Sequence, residues 1–68
     1  MKFDVILYSD EDGWVIAECP AIPGCVSQGR DRDEALANIT DAIQGCLKVR
    51  RELGLPDAVE TAEIEVEA

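Results

Sequence analysis

Residues 13–35, GWVIAECPAIPGCVSQGRDRDEA, contain the stretch that decides the fold of this chain. Residues 14–19 combine β-branched and aromatic types and predict a strand, and residues 25–28 predict a shorter strand at a sheet edge. Between them, the two prolines of residues 20–24 remove backbone donors, and Pro23-Gly24 favours a type II turn. The first part of the stretch therefore predicts a strand, a rigid loop and a second strand.

The second part of the stretch marks the start of a helix. Asp31 stands three residues before Glu34, which is the spacing of a capping box with Asp in the N-cap position. Apolar residues then recur every three or four positions, which predicts one buried helix side over residues 32–53. Gly54 suits the position after the last turn, and Pro56 prevents the helix from resuming.

The chain ends complete the predicted topology. Residues 2–9 predict a first strand, which a turn at residues 10–13 joins to the second. Residues 61–67 alternate apolar and acidic side chains and predict a last strand with one wet side. The expected fold is a single two-layer α+β domain over residues 1–68, with order β-β-β-α-β. A right-handed crossover gives sheet order 3-2-1-4 with the helix on one face.

Composition excludes several classes of function. The 68 residues hold 6 Lys+Arg, 15 Asp+Glu and no His, a formal charge of −9. Direct DNA or RNA binding is not expected, because little positive charge is present to neutralise phosphates. No apolar run approaches the length of a membrane span, and Asp4 interrupts the only N-terminal run that resembles a secretory signal. We therefore expect a cytoplasmic protein that does not bind membranes.

The residue types also argue against an enzyme. Without His, no Ser-His or Cys-His pair can be built. The cysteines, at positions 19, 25 and 46, lack the close spacing of a zinc site and predict small reduced thiols. The acidic run 10–12 is typical of a solvated turn. No catalytic residue, metal or other cofactor is predicted.

A binding role follows from the predicted strands, because strands 1 and 2 are apolar on both sides and one helix covers only one face of a sheet. The second face should therefore meet another chain, and self-association as a dimer or tetramer is the simplest solution for so short a chain. Trp14 is either an anchor of that contact or part of the core. The candidate contact residues are Trp14, Glu18, Ile22, Pro23 and Glu34.

The motifs between Gly13 and Ala35 resemble those of the HicB family of antitoxins. The matching features are Gly13-Trp14 at strand two, the loop Pro20-Ala-Ile-Pro-Gly-Cys25, the polar strand ending at Gly29, and the capped helix start at Asp31. The resemblance implies a β-β-β-α-β domain likened to a partial RNase H fold. It also implies oligomers that bind and occlude HicA, a small basic toxin that cleaves mRNA. Many members carry a further DNA-binding domain, which this sequence lacks.

Three hypotheses remain at this point. The first is a HicB-like antitoxin of a type II toxin-antitoxin system, which suits an acidic oligomer facing a basic RNA-binding protein. The second is a stand-alone oligomeric module that binds a small ligand or another protein. The third is an enzyme such as a metal-dependent nuclease, for which the sequence offers no carboxylate cluster.

Overall fold

The computed structural model describes all 68 residues and has the α+β class that the sequence predicts. The elements are β1 (Ile6–Ser9), β2 (Val15–Glu18), β3 (Val26–Gly29) and α1 (Arg32–Glu52). The strands form one antiparallel sheet in the order β1-β2-β3, with α1 on one face. The prediction of three leading strands in this order is confirmed, and the helix ends one residue earlier than predicted. α1 lacks the combination of length and apolarity that crossing a membrane requires.

The turn between β1 and β2 is built by its acidic residues. The carboxylate Oδ1 of Asp10 accepts hydrogen bonds from the backbone N–H groups of Asp12 and Trp14, both at 2.9 Å. Gly13 has a φ of 86°, a conformation that residues with a Cβ rarely adopt. The acidic run thus forms the turn itself, and this fixes the register in which Ser9 faces Val15.

The helix begins and ends at the predicted signals. The Asp31 side chain accepts a hydrogen bond from the N–H of Glu34 at 2.8 Å, which satisfies one of the unpaired donors of the first turn. At the other end the N–H of Gly54 bonds to the carbonyl of Arg51 at 3.1 Å. Acidic residues lie in the first turn and basic residues in the last, as the helix dipole favours.

The core is small and lies between α1 and the middle of the sheet. Its six members are 2% exposed or less: Ala17, Cys19, Ile22, Cys25, Ala35 and Ile39. All three cysteines are free, with Cys46 half-buried. Burial, together with a hydrogen bond to Cys46, raises the pKa of the Cys25 thiol to about 12, so this thiol is protonated at neutral pH.

The predicted fourth strand is not seen. Residues 61–67 pair with no other strand, and the apolar side of the alternation is exposed, with Ile64 at 80% and Val66 at 74%. The N–H of Val59, just before this segment, donates a backbone hydrogen bond of 2.7 Å to the carbonyl of Ala21. A segment with an alternating pattern forms a strand only where it can pair with the edge of another strand and pack on an apolar surface. In the isolated chain this segment does neither.

Candidate protein-binding face

The face of the sheet opposite α1 is an exposed, largely apolar surface. Side chains alternate along each strand, so this outer face carries every second residue of β1, β2 and β3 and the residue just before β2. Its members are Ile6, Tyr8, Trp14, Ile16, Glu18, Val26 and Gln28. Four large members remain well exposed: Ile6 and Tyr8 at 48%, Trp14 at 37% and Val26 at 51%. A concentration of exposed apolar side chains on one face is typical of a protein interaction site.

Strand register places one carboxylate on the middle strand of this surface, at the end of β2. Glu18 lies opposite Ile6 on one side and Val26 on the other. The Tyr8 hydroxyl donates a hydrogen bond of 2.6 Å to Oε1 of Glu18. This bond raises the pKa of Tyr8 above its ordinary value, because losing the proton would also lose the bond. The Glu18 carboxylate is thereby held in place, and a carboxylate can accept several hydrogen bonds at once.

Only two of the five candidate contact residues, Trp14 and Glu18, lie on the outer face. Ile22 is 1% exposed and belongs to the core, so it presents no surface to a partner. Pro23 is exposed but lines a pocket against the C-terminal half of α1, on the helix side of the sheet. Glu34 lies in the first turn of α1.

Ile22 turns inward because its loop folds back on itself. The N–H of Ile22 bonds to the carbonyl of Cys19 at 3.1 Å, and the Ile22 carbonyl accepts from the N–H of Cys25 at 3.1 Å. These bonds form a compact turn with its isoleucine pointing under α1. Ile16 and Val26 also lie on the outer face but were not among the candidate contact residues. The alternation of side chains along β2 and β3 could have identified them.

Glu34 has a local role at the helix start. Its carboxylate accepts from the backbone N–H of Arg30 at 3.1 Å and forms an ion pair with the Arg30 guanidinium, also at 3.1 Å. The capping box is therefore one residue longer than the usual form, in which Glu reaches the N–H of the N-cap. The side-chain hydrogen bond from Arg30, followed by the backbone one, holds the pKa of Glu34 below its ordinary 4.5.

We expect Glu34→Gln to reduce stability at neutral pH and to lose this effect in acid. Because the pKa of Glu34 is lowered in the folded state, its carboxylate stabilises the fold at pH values above its unfolded-state pKa. This contribution is lost as the pH falls through the folded-state pKa. Urea unfolding of both proteins between pH 7 and pH 2 measures the difference. A gap between the two proteins that stayed constant down to pH 2 would contradict the role of the carboxylate charge.

Comparison with known proteins gives relatives over most of the chain. A UPF0150 protein of Thermoplasma acidophilum is 46% identical over 48 residues, which is 71% of this chain and 70% of that protein. A UPF0150 protein of Archaeoglobus fulgidus is 30% identical over 66 residues, covering 97% of this chain and 96% of its own length. The chain belongs to the UPF0150 family.

A further UPF0150 protein, from Synechocystis, is 43% identical over 47 residues, 69% of this chain and 68% of that protein. No protein-family model and no solved structure matches the chain. The UPF0150 name assigns no activity, so the function of this UPF0150 protein has to be argued from the outer face.

Proposed function

We propose that this UPF0150 protein is a HicB-like antitoxin that binds a small basic HicA-type toxin and covers the toxin's RNA-cleaving surface. The observation that carries the proposal is the outer face, an exposed apolar surface on which Tyr8 holds the Glu18 carboxylate in place, on a chain of formal charge −9. In this role the protein acts in the cytoplasm by occupying its partner, one for one, and needs neither a catalytic group nor a cofactor.

Charge favours a basic partner over a neutral one. An RNA-cleaving toxin must present positive charge to bind phosphates, and the same charge attracts an acidic inhibitor. Attraction between oppositely charged proteins raises the association rate and suppresses binding to acidic competitors. A carboxylate that Tyr8 already orients suits a bidentate contact with an arginine, at little cost in side-chain ordering.

Apolar contacts on the same surface would hold the complex once formed. Trp14 and Tyr8 are large and partly exposed on the outer face; Tyr8 contacts Glu18, whereas Trp14 lies at the other end of β2. Aromatic side chains of this kind dominate the free energy of many protein interfaces, and surrounding aliphatic contacts exclude water from them. Ile6 and Val26 flank Glu18 and would exclude water from its contact with the partner.

We expect Glu18→Lys to weaken toxin binding at least tenfold and to abolish inhibition at equimolar ratio. The variant places like charge against the basic partner, on the middle strand of the outer face. The matched control is Asp41→Lys, which makes the same change of charge at an exposed position on α1, on the other side of the sheet. The probe is a small basic HicA-type protein from the same genome, which would be co-purified with each variant, and its mRNA cleavage would be measured with increasing inhibitor.

Two results would count against the antitoxin proposal. Equal loss of inhibition in both variants would mean that only the total charge matters and not the outer face. Failure of the unaltered protein to bind or inhibit this basic protein at excess would refute the proposal and favour a stand-alone binding module.

A further inference from the structure

An apolar groove lies on the helix side of the sheet, between α1 and the segment that leads into β1. α1 packs mainly on β3 and β2, so the inner side chains of the first strand region, such as Phe3 and Val5, are only half-buried. Phe3 and Val5 lie on one side of the resulting edge groove, and α1 supplies Leu36, Thr40, Ile43 and Leu47 on the other. Its volume is about 340 Å³. The edge groove thus lies beside the chain that leads into β1 and has a lining that the apolar side of a further strand would match.

The C-terminal tail, residues 61–67, has the side-chain pattern that such a strand would need. Ala62, Ile64 and Val66 alternate with three glutamates, so an extended tail is apolar on one side and acidic on the other. In the isolated chain both sides are exposed. The apolar side of an extended tail would therefore match the apolar lining of the edge groove.

The isolated chain exposes more surface than a compact protein of its size. Its accessible surface is 5330 Å² for 7.4 kDa, whereas a folded monomer of that mass exposes about 4,200 Å². Its radius of gyration is 13.5 Å against roughly 11 Å for a compact chain of this length. Each chain therefore exposes about 1,100 Å² more than a compact monomer would. The summed excess of two chains is larger than the ~1,200–2,000 Å² of total surface that a standard stable interface buries.

We propose that the tail of one copy forms the fourth strand in the edge groove of a second copy, and that reciprocal exchange makes a two-fold symmetric dimer. The segment before the tail is fastened to its own domain by the Arg50 Nε–H bond to the Pro56 carbonyl and by the Val59–Ala21 bond, both 2.7 Å. Beyond it every residue of the tail is exposed, so the tail is not packed against its own core. Exchange of an identical element is a low-cost route from monomer to dimer.

The exchange uses a different surface from the proposed toxin contact. The apolar residues of the tail would face α1, so its glutamates would face the opposite side, alongside the outer face. Each copy would then add Glu63, Glu65 and Glu67 as an acidic border next to Ile6 and Tyr8. The dimer can be tested without any toxin, so its failure and that of the antitoxin proposal are distinguishable.

We expect the double substitution Ile64→Asp and Val66→Asp to weaken dimerisation at least 100-fold. Two desolvated carboxylates per tail would oppose seating in an apolar groove. Glu65→Gln is the matched control, since it alters the tail only on its acidic side and should leave the dimer intact. Sedimentation equilibrium of the full-length chains over a range of concentrations gives the dissociation constants.

Isotope-filtered NMR identifies whose groove the tail occupies. Labelled and unlabelled full-length chains are mixed and allowed to exchange, and contacts are sought between the methyl groups of Val66 and Leu47. Contacts between labelled and unlabelled copies are the expected result. A monomer whose tail is free, a monomer with the tail in its own groove, or a dimer that survives the double substitution would each overturn the proposal.

Discussion

Replacing Gly29 with alanine is expected to destabilise the domain by about 3 kcal/mol or more, enough to leave much of the protein unfolded. Gly29 is buried at the end of β3, where the first turn of α1 crosses it. An added Cβ would lie 2.7 Å from the carbonyl carbon of Glu34 and 2.9 Å from the Cα of Ala35. These are backbone atoms, so no side chain can rotate to make room.

The helix cannot easily shift away from such a Cβ. Asp31 caps α1 two residues after Gly29, and the Asn38 amide donates a 2.7 Å hydrogen bond to the carbonyl of Gln28. Moving the helix outward would strain both contacts and open the core beneath Ala35. Urea unfolding monitored by circular dichroism measures the loss.

Gly45→Ala is the matched control for this prediction. Gly45 lies in the interior of α1, and a Cβ added there meets no atom within 4 Å. Alanine is the better helix former, so this variant should be more stable by about 0.5–1 kcal/mol. If Gly29→Ala lowers the free energy of unfolding and Gly45→Ala raises it, the effect at Gly29 comes from the close approach of helix and sheet. Equal small effects would contradict that approach.

Replacing Ile22 with alanine is expected to cost about 2–5 kcal/mol of unfolding free energy, the usual range for truncating a large core side chain. Ile22 is among the largest fully buried side chains and is 1% exposed. The remaining core members are mostly small, so little volume is available to fill the cavity. Thermal and urea unfolding of the unaltered protein and of Ile22→Ala, both at the same protein concentration, check the prediction.

Pro23→Ala separates this role from that of a partner contact. Pro23 adjoins Ile22 in the same loop but is exposed, so its replacement should change stability by less than about 1 kcal/mol. If Ile22→Ala left stability unchanged but weakened partner binding, the inward placement of Ile22 would be wrong. A large loss in both variants would instead point to the loop conformation.

The outer face and the edge groove give the short chain two unsatisfied surfaces on opposite sides of one sheet. A domain of 68 residues buries only about 60% of its unfolded surface and gains little from its own core. Contacts with other chains would supply part of the missing stability. Since both copies are acidic, added salt should strengthen tail exchange, whereas it should weaken binding to a basic toxin.

The local structure of this UPF0150 protein follows from short sequence signals. Asp31 and Gly54 marked the ends of the helix, Gly13 closed the first turn, and alternation assigned the two faces of β1 and β2. These features depend on backbone conformation and on hydrogen bonds between residues a few positions apart, so the nearest neighbours in sequence suffice to specify them.

The positions of the loop and the tail depend on contacts between residues far apart in the sequence. Residues 20–24 looked like an exposed apolar contact, but hydrogen bonds within the loop turn Ile22 into the core while Pro23 remains outside. The tail has the pattern of a strand, yet its pairing depends on an edge and a groove formed by residues far away in sequence. Burial is a property of the surfaces that meet, and a pattern shows only which side of a segment is fit to be buried.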